Sequence, residues 1–353
     1  MNKVQDFVVK GKRVFVGLED SKRTWKVCIR CDGMIVHEAS MPTEYANLRT
    51  FFERKFPECM IQVIYEAGFQ GFWLHDLLEE DGVDCIVTPA CKVTQEKVNR
   101  VKTDKIDARR LAKVLETGDY TSCWVPAREL REDRQISRTL TQMQRNIVAI
   151  KNRIRKFLDF HGLNGDLPSG AWRVEHYQKL RAIKLNKPLQ ICIDAYFRVL
   201  DELEEIRKCL LLELRSLSRE KRYSESVKSK ESSPGVGWLS AIRFTLEWGD
   251  VSRFTSGKHL GSYLGLTASE YSTGEIIHRG RITRQGKSQV RAWLIECAWT
   301  AIRKDQALLE KFRRVWSSSG SKKKAIVAVA RKLAARMRAL ELKNEPYHIG
   351  LIE

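Results

Sequence analysis

Over the first 120 residues, short apolar runs of period two alternate with amphipathic stretches of helical period, the pattern of a mixed α/β domain. Arg13–Leu18, Trp25–Arg30 and Met34–Glu38 predict a three-strand meander whose last two strands turn at Cys31-Asp32-Gly33. A helix should follow over Glu44–Phe56, with Thr43 as its N-cap and Pro57 just beyond its end. Next come a strand at Met60–Tyr65, a helix at Gly71–Glu80 and a short strand at Cys85–Thr88 stopped by Pro89. Cys91–Glu116 is helical in pattern, broken before Thr103, which can cap a helix beginning at Asp104.

From about Glu129 the strand signals stop. Stripes such as Ile147, Ile150, Ile154, Leu158 and Leu200, Leu203, Ile206, Leu210 predict two long helices, roughly Glu129–Phe160 and Leu189–Arg219. Between them lie a connector (Gly162 to Gly170) and a shorter amphipathic piece holding Trp172 and Tyr177. An antiparallel coiled-coil arm accounts for both long helices. Ser224–Ser233 reads as a polar linker, Ser317–Lys324 as a flexible basic loop and Ala325–Leu342 as a final helix. The expected division is therefore an α/β domain at 1–125, a helical arm at 126–223 and a mostly helical C-terminal domain at 224–353.

Composition narrows the class. The chain has 353 residues, 43% hydrophobic and 30% charged, which is too apolar for disorder and ample for several cores. No apolar run reaches the roughly 18 residues that cross a bilayer, and Met1 to Lys12 lacks a secretory signal, so a soluble cytoplasmic protein is expected. Nine scattered cysteines suit a reducing compartment. Cys28 and Cys31 form a Cys-x-x-Cys without a second pair at zinc-site spacing, and are read as ordinary packed cysteines. Trp124, Trp172, Trp238, Trp248, Trp293, Trp299 and Trp316 lie among apolar or helical neighbours and are expected to fill cores or interfaces.

Charge changes the picture more. There are 63 Lys+Arg against 44 Asp+Glu, a net +19. Residues 1–120 hold 19 basic and 19 acidic residues, 121–250 hold 24 and 17, and 251–353 hold 20 and 8. The excess is thus 0, +7 and +12 along the chain, the asymmetry that a polyanion selects through release of its counterions. Nucleic acid is the leading partner, and a solvated basic surface is the alternative.

Four acids stand at informative places: Glu19 at the end of the first strand, Glu66 at the end of Met60–Tyr65, and Asp104 and Asp107 three apart on one face of a helix start. Converging carboxylates repel unless a cation lies between them, so a hard divalent ion, Mg2+ first, is the natural resolution. Two such ions could align the attacking and leaving oxygens of a phosphodiester. Scattered solvated acids are the alternative, and the strand and helix order, which is that of ribonuclease-H-like nucleases, favours the metal reading. Ser233-Pro234-Gly235-Val236-Gly237 is similar to the hairpin of a helix-hairpin-helix motif, in which Gly235 and Gly237 would let backbone amides approach a phosphate; a tight turn between helices needs similar glycines. Hydroxyls cluster at Tyr271-Ser272-Thr273-Gly274, followed by Arg279, Arg281, Arg284, Lys287 and Arg291. A hydroxyl among such cations can attack a phosphodiester, although such turns also simply grip a nucleic-acid backbone. Lys322, Lys323 and Lys324 add a further basic run.

These motifs together resemble one family. Val16-Gly-Leu-Glu-Asp-Ser-Lys22, Tyr65-Glu-Ala-Gly68, Lys102-Thr-Asp-Lys-Ile-Asp-Ala108, Pro234-Gly-Val-Gly237, Arg253-Phe254, Tyr263-Leu-Gly-Leu266, Tyr271-Ser-Thr-Gly274 and Ile282-Thr-Arg-Gln-Gly286 with Val290-Arg291 occur in the order found in the DEDD transposases of bacterial insertion sequences, over nearly the whole chain. The resemblance implies a RuvC-like, ribonuclease-H-like N-terminal domain, a coiled-coil arm and a C-terminal transposase domain with a catalytic serine. It implies a recombinase guided by an element-encoded noncoding bridge or seeker RNA that pairs with donor and target double-stranded DNA. Glu19, Glu66, Asp104 and Asp107 would bind Mg2+, two ions in all. The serine would form a covalent phosphoserine link, the chain would act as a homodimer or homotetramer, and it would associate with the bacterial nucleoid when acting.

Two positions depart from the family pattern. Its first carboxylate is usually Asp, whereas Glu19 stands here beside Asp20; strand alternation sends Asp20 to the other face, which favours Glu19. The nucleophile usually precedes glycine directly, the place of Thr273, yet the less hindered primary hydroxyl belongs to Ser272, which is the choice made here. A structure-specific DNA junction endonuclease using the same acids, and a catalytically decayed RNA- or DNA-binding protein, are the alternative functions.

Overall fold

The computed structural model describes residues 9–89, 103–163, 172–271 and 278–350, and the chain divides into two compact units, Met1–Pro126 and Ala127–Glu353.

The first unit is a five-stranded mixed sheet. Strands β1 (Arg13–Glu19), β2 (Thr24–Cys31) and β3 (Met34–Pro42) form the antiparallel meander; β4 (Met60–Glu66) and β5 (Asp84–Thr88) add in parallel on the other side of β1, giving the order β3-β2-β1-β4-β5. Alternation along β1 sends Val14, Val16 and Leu18 into a core with Leu48 and Phe52 of helix α1 (Tyr45–Lys55) and Leu74 and Leu78 of α2 (Trp73–Glu80). The opposite face carries α3 (Asp104–Thr117), whose Leu111 and Leu115 pack with Ile64.

Gly17 sets how closely α3 can lie. A Cβ built there would be 2.1 Å from the Ala108 carbonyl oxygen and 2.3 Å from the Ala112 amide nitrogen, so only glycine admits the helix. Ala108, Ala112 and Cys28, all small, fill the same contact. Ion pairs then fix the helix over the meander: Arg109 grips Glu38 with two nitrogens at 2.6 and 2.8 Å, and Arg30 reaches Glu116 at 2.6 Å. Five-stranded mixed topology with a helix on each face is compatible with a ribonuclease-H-like domain.

The second unit is helical. Helices α4 (Arg128–Phe160) and α6 (Lys187–Leu217) run antiparallel, meeting through Ile147, Ile150, Ile154 and Leu158 against Ile193, Phe197 and Leu200, with α5 (Val174–Ala182) adding Leu180. Beyond them come α7 (Lys221–Glu231), α8 (Trp238–Trp248), a 3-10 turn at Val251–Arg253, α9 (Gly257–Tyr263), the ribbon β6 (Ala268–Glu270) and β7 (Arg279–Ile282), α10 (Ser288–Ala301), α11 (Gln306–Ser319) and α12 (Lys322–Lys343). Leu140 of α4 and Leu214 and Leu217 of α6 share one core with Phe244, Trp248, Leu294, Leu333 and Met337, so the foot of the long pair is built into the C-terminal helices.

Several sequence expectations need correction. Glu44, not Thr43, is the N-cap of α1. Ser224–Ser233 is not a linker: it is helical through Glu231, and its polar composition hides a buried face formed by Tyr223, Val227 and Lys230. Lys230 is fully buried, pairs with Glu341 and sits 5.5 Å from the Trp248 ring centroid. The basic loop at Ser317–Lys324 shrinks to Gly320 and Ser321, because Gly320 closes α11 in the left-handed region and the Ser321 side chain caps α12. Trp248 is buried as expected, but Trp124 and Trp316 are exposed.

Candidate active site

Parity along the strands decides which acids meet. Gly17 faces α3, so Glu19, two residues on, faces the same side. In β4, Ile64 packs under α3 and Glu66 follows it by two. Register pairs Leu18 with Tyr65, which brings Glu19 and Glu66 to the same end of adjacent parallel strands. At that end α3 begins. Thr103 caps it, accepting from the Ile106 amide at 3.4 Å, and Asp107 lies buried against the sheet while Asp104, a turn earlier, is exposed.

Asp20 goes the other way. Its carboxylate accepts from the Trp25 indole at 2.8 Å and from the Gln70 amide, on the α1 and α2 side, where burial pushes its pKa up. The chain thus presents Glu19 to the α3 face and spends Asp20 on the core.

An arginine that sequence reasoning missed stands between two of the acids. One terminal nitrogen of Arg110 lies 3.2 Å from Glu66 Oε1 and 3.0 Å from Asp107 Oδ1. The i to i+3 spacing from Asp107 was the available signal, but only the docking of α3 on β4 reveals the second contact. Among the described residues no three His, Cys, Asp or Glu side chains stand close enough together to hold a metal in this conformation. The donor chemistry nevertheless fits a hard cation, since Glu19, Glu66, Asp104 and Asp107 offer only carboxylate oxygens.

The second predicted cluster belongs to the other unit. Ser272 and Thr273 lie outside the described residues, in the segment joining β6 to β7, whose ends are tied where the Tyr271 amide donates to His278 O at 2.9 Å. Arg281 and Arg284 are exposed, and Arg279 stands at the start of β7. Arg291 is buried, with one nitrogen donating to the carbonyls of Leu264, Gln285 and Gly286 at 3.2, 2.7 and 3.2 Å. Gly265 and Gly286 make that junction possible, since a Cβ on either would lie 2.1 Å from Gln285 O or 2.4 Å from Tyr263 O. Arg291 therefore ties together the two loops at the foot of the ribbon, and a phosphate contact would require it to leave them. Lys287 pairs at 2.8 Å with Glu247, which Arg138 also holds at 2.9 Å.

Gly235 has a packing reason for being glycine: its φ is 78°, and a Cβ would lie 2.4 Å from Cys297 O of α10. Gly237 is open at the N-cap of α8. Lys322, Lys323 and Lys324 are exposed in the first turn of α12, with Lys322 4.7 Å from the Trp316 ring centroid. Packing of α11 on α12 adds cations that no sequence window groups: Lys311, whose pKa is pushed down by burial and by Arg314, Arg331 and Lys332. No helix among the described residues is long and apolar enough to cross a membrane.

Two family models match the chain. Residues 16–162 match the DEDD transposase family of IS110 elements, described as "Transposase", and residues 230–313 match "Transposase IS116/IS110/IS902 family". A transposase-family protein of Sinorhizobium fredii, y4qE, is 30% identical over 283 residues, covering 80% of this chain and 69% of its own length. The transposase for insertion sequence element IS1533 of Leptospira borgpetersenii is 24% identical over 258 residues, 71% of this chain and 74% of its own. The pilin gene-inverting protein of Moraxella bovis is 31% identical over 116 residues, 32% of this chain and 36% of its own. On these matches this chain belongs to the IS110 family of DEDD transposases and is a DNA transposase or recombinase.

Proposed function

We propose that this transposase is RNA-guided: an element-encoded noncoding RNA pairs with donor and target DNA and so selects the sites, while the protein, as a homodimer or homotetramer, holds the duplexes and exchanges strands. What supports the catalytic half of the reading is that Glu19 and Glu66 end adjacent parallel strands while Glu66 and Asp107 share one arginine nitrogen. With Asp104 they would hold two Mg2+ ions. Those ions would supply charge neutralisation for the attacking and leaving oxygens of the phosphodiester.

The nucleophile is assigned to Ser272, with Thr273 the alternative. Its hydroxyl gives up a proton, the oxygen bonds to phosphorus, and the bond to a deoxyribose oxygen breaks as that oxygen takes up a proton. A hydroxyl at another strand end then attacks the phosphoserine, which restores the serine and reseals the backbone. Arg279, Arg281 and Arg284 would steady the phosphate in both steps. The +12 excess over residues 251–353, which includes Lys322, Lys323 and Lys324, supports a nucleic-acid grip by the helical unit, as does the open amide end at Gly237.

Protein, its element's RNA, and paired donor and target DNA incubated with Mg2+ should give joined strands and a covalent protein–DNA adduct, neither forming without the RNA. Persistence of the adduct in both Ser272→Ala and Thr273→Ala refutes the nucleophile assignment. Cleaved ends without an adduct would mark a junction endonuclease, and binding without strand chemistry under any divalent metal a decayed binding protein.

A further inference from the structure

Arg110 has no part in the reaction just described, yet it bridges two of the four acids, Glu66 and Asp107. One of its terminal nitrogens is shared between Glu66 and Asp107, and its side chain is only 20% exposed. We infer that Arg110 is an intramolecular counter-ion that holds Glu66 and Asp107 when no metal is bound and must withdraw for a divalent ion to enter. This rests on the reading of the acids as metal ligands.

Geometry and electrostatics lead to the same point. Two carboxylates drawn together in a partly buried place repel, and an arginine between them cancels that repulsion without leaving the chain. Its nitrogen stands 3.0 and 3.2 Å from the two oxygens, whereas Mg2+ requires its oxygens at roughly 2.0–2.1 Å. Those are the separations of ion pairs, not of a coordination shell, in keeping with the lack, among the described residues, of three ligands gathered tightly enough for an ion. Guanidinium and metal would fill the same space between the same oxygens, so they exclude one another.

The side chain is also able to leave. Arg109, its neighbour, is locked to Glu38 by two hydrogen bonds, but Arg110 is held through its tip, with the buried Nε making no hydrogen bond. Rotation about the aliphatic stem can carry the tip away without moving α3.

The test uses the full chain, stripped of metal with EDTA and titrated with Mn2+, free ion being measured by electron paramagnetic resonance. Arg110→Gln should bind Mn2+ about tenfold more tightly than wild type or better, because a unit positive charge next to the ligands is gone. Arg110→Lys should show a smaller gain, and Glu66→Gln should lose this binding. Unchanged or weaker Mn2+ binding in both Arg110 variants, with wild-type circular dichroism, overturns the counter-ion role while leaving the metal site standing. Should wild type and both Arg110 variants bind no more than Glu66→Gln, the metal reading and this inference fall together. If Arg110→Gln does not fold, the lysine variant decides by the same criterion.

Discussion

Replacing Gly17 by alanine tests the packing that brings Asp107 to Glu66. The added Cβ would stand 2.1 Å from Ala108 O and 2.3 Å from Ala112 N, both backbone atoms that cannot rotate away. Ordinary contact begins near 3.4 Å, so α3 has to lift from the sheet by about 1 Å. Overpacking of this kind costs about 1–3 kcal/mol, and backbone on backbone belongs at the upper end. For a unit of this size that is a fall in melting temperature of roughly 5–15 °C. The lift also carries Asp107 and Arg110 away from Glu66, and, with these acids as the proposed catalytic groups, a displacement of about 1 Å should cost on the order of a hundredfold in rate. Thermal melts followed by circular dichroism, with strand-joining rates measured well below the melt, read the two effects separately. A Gly17→Ala protein with wild-type melting and wild-type joining would refute the claim that glycine is there to admit the helix.

Glu19→Gln should lower the strand-joining rate by about a hundredfold or more, whereas Asp20→Asn, whose amide oxygen can still accept from Trp25, should leave it near wild type; the reverse would show that parity was misassigned. Lys230→Met strands the Glu341 carboxylate in a largely buried place and should cost about 3–5 kcal/mol in urea unfolding, while Lys230→Met with Glu341→Leu should recover most of it; equal losses would argue against the pair. Burial pushes the Cys28 thiol up to about 11 from its ordinary 9.0. The folded chain then keeps a proton that the unfolded chain releases, so stability should decline between those two pH values and not below them, and melts of Cys28→Ala should lack that part of the decline.

Much of the first unit could be read from period-two runs, because its strands are half-buried and their alternation survives in sequence. The same alternation sends Asp20 to the side of Trp25 and Glu19 to the α3 face. Gly17 was not legible as a packing residue, since what makes it indispensable is Ala108 and Ala112, about ninety residues away in the chain. In α7 the misreading has a plain cause: Lys230 occupies a core position that pattern analysis reserves for apolar side chains, and its partner Glu341 lies on α12. The start of α12 was legible in principle, for Gly320 followed by Ser321 is a stop next to a cap. Arg110 and the Lys311 group escaped for one reason, that each needs two elements packed together before its neighbours are defined.

Because Glu19 and Asp20 are consecutive, the whole difference between the carboxylate proposed to bind metal and the structural one rests on the phase of a single strand. Deleting any one residue between Val14 and Leu18 while keeping the ladder would swap their destinations, turning Asp20 out beneath α3 and driving Glu19 toward Trp25. Insertions and deletions in this strand should therefore be far less tolerated than substitutions, and a library that varies its length should return only lengths that leave the count unchanged or alter it by two.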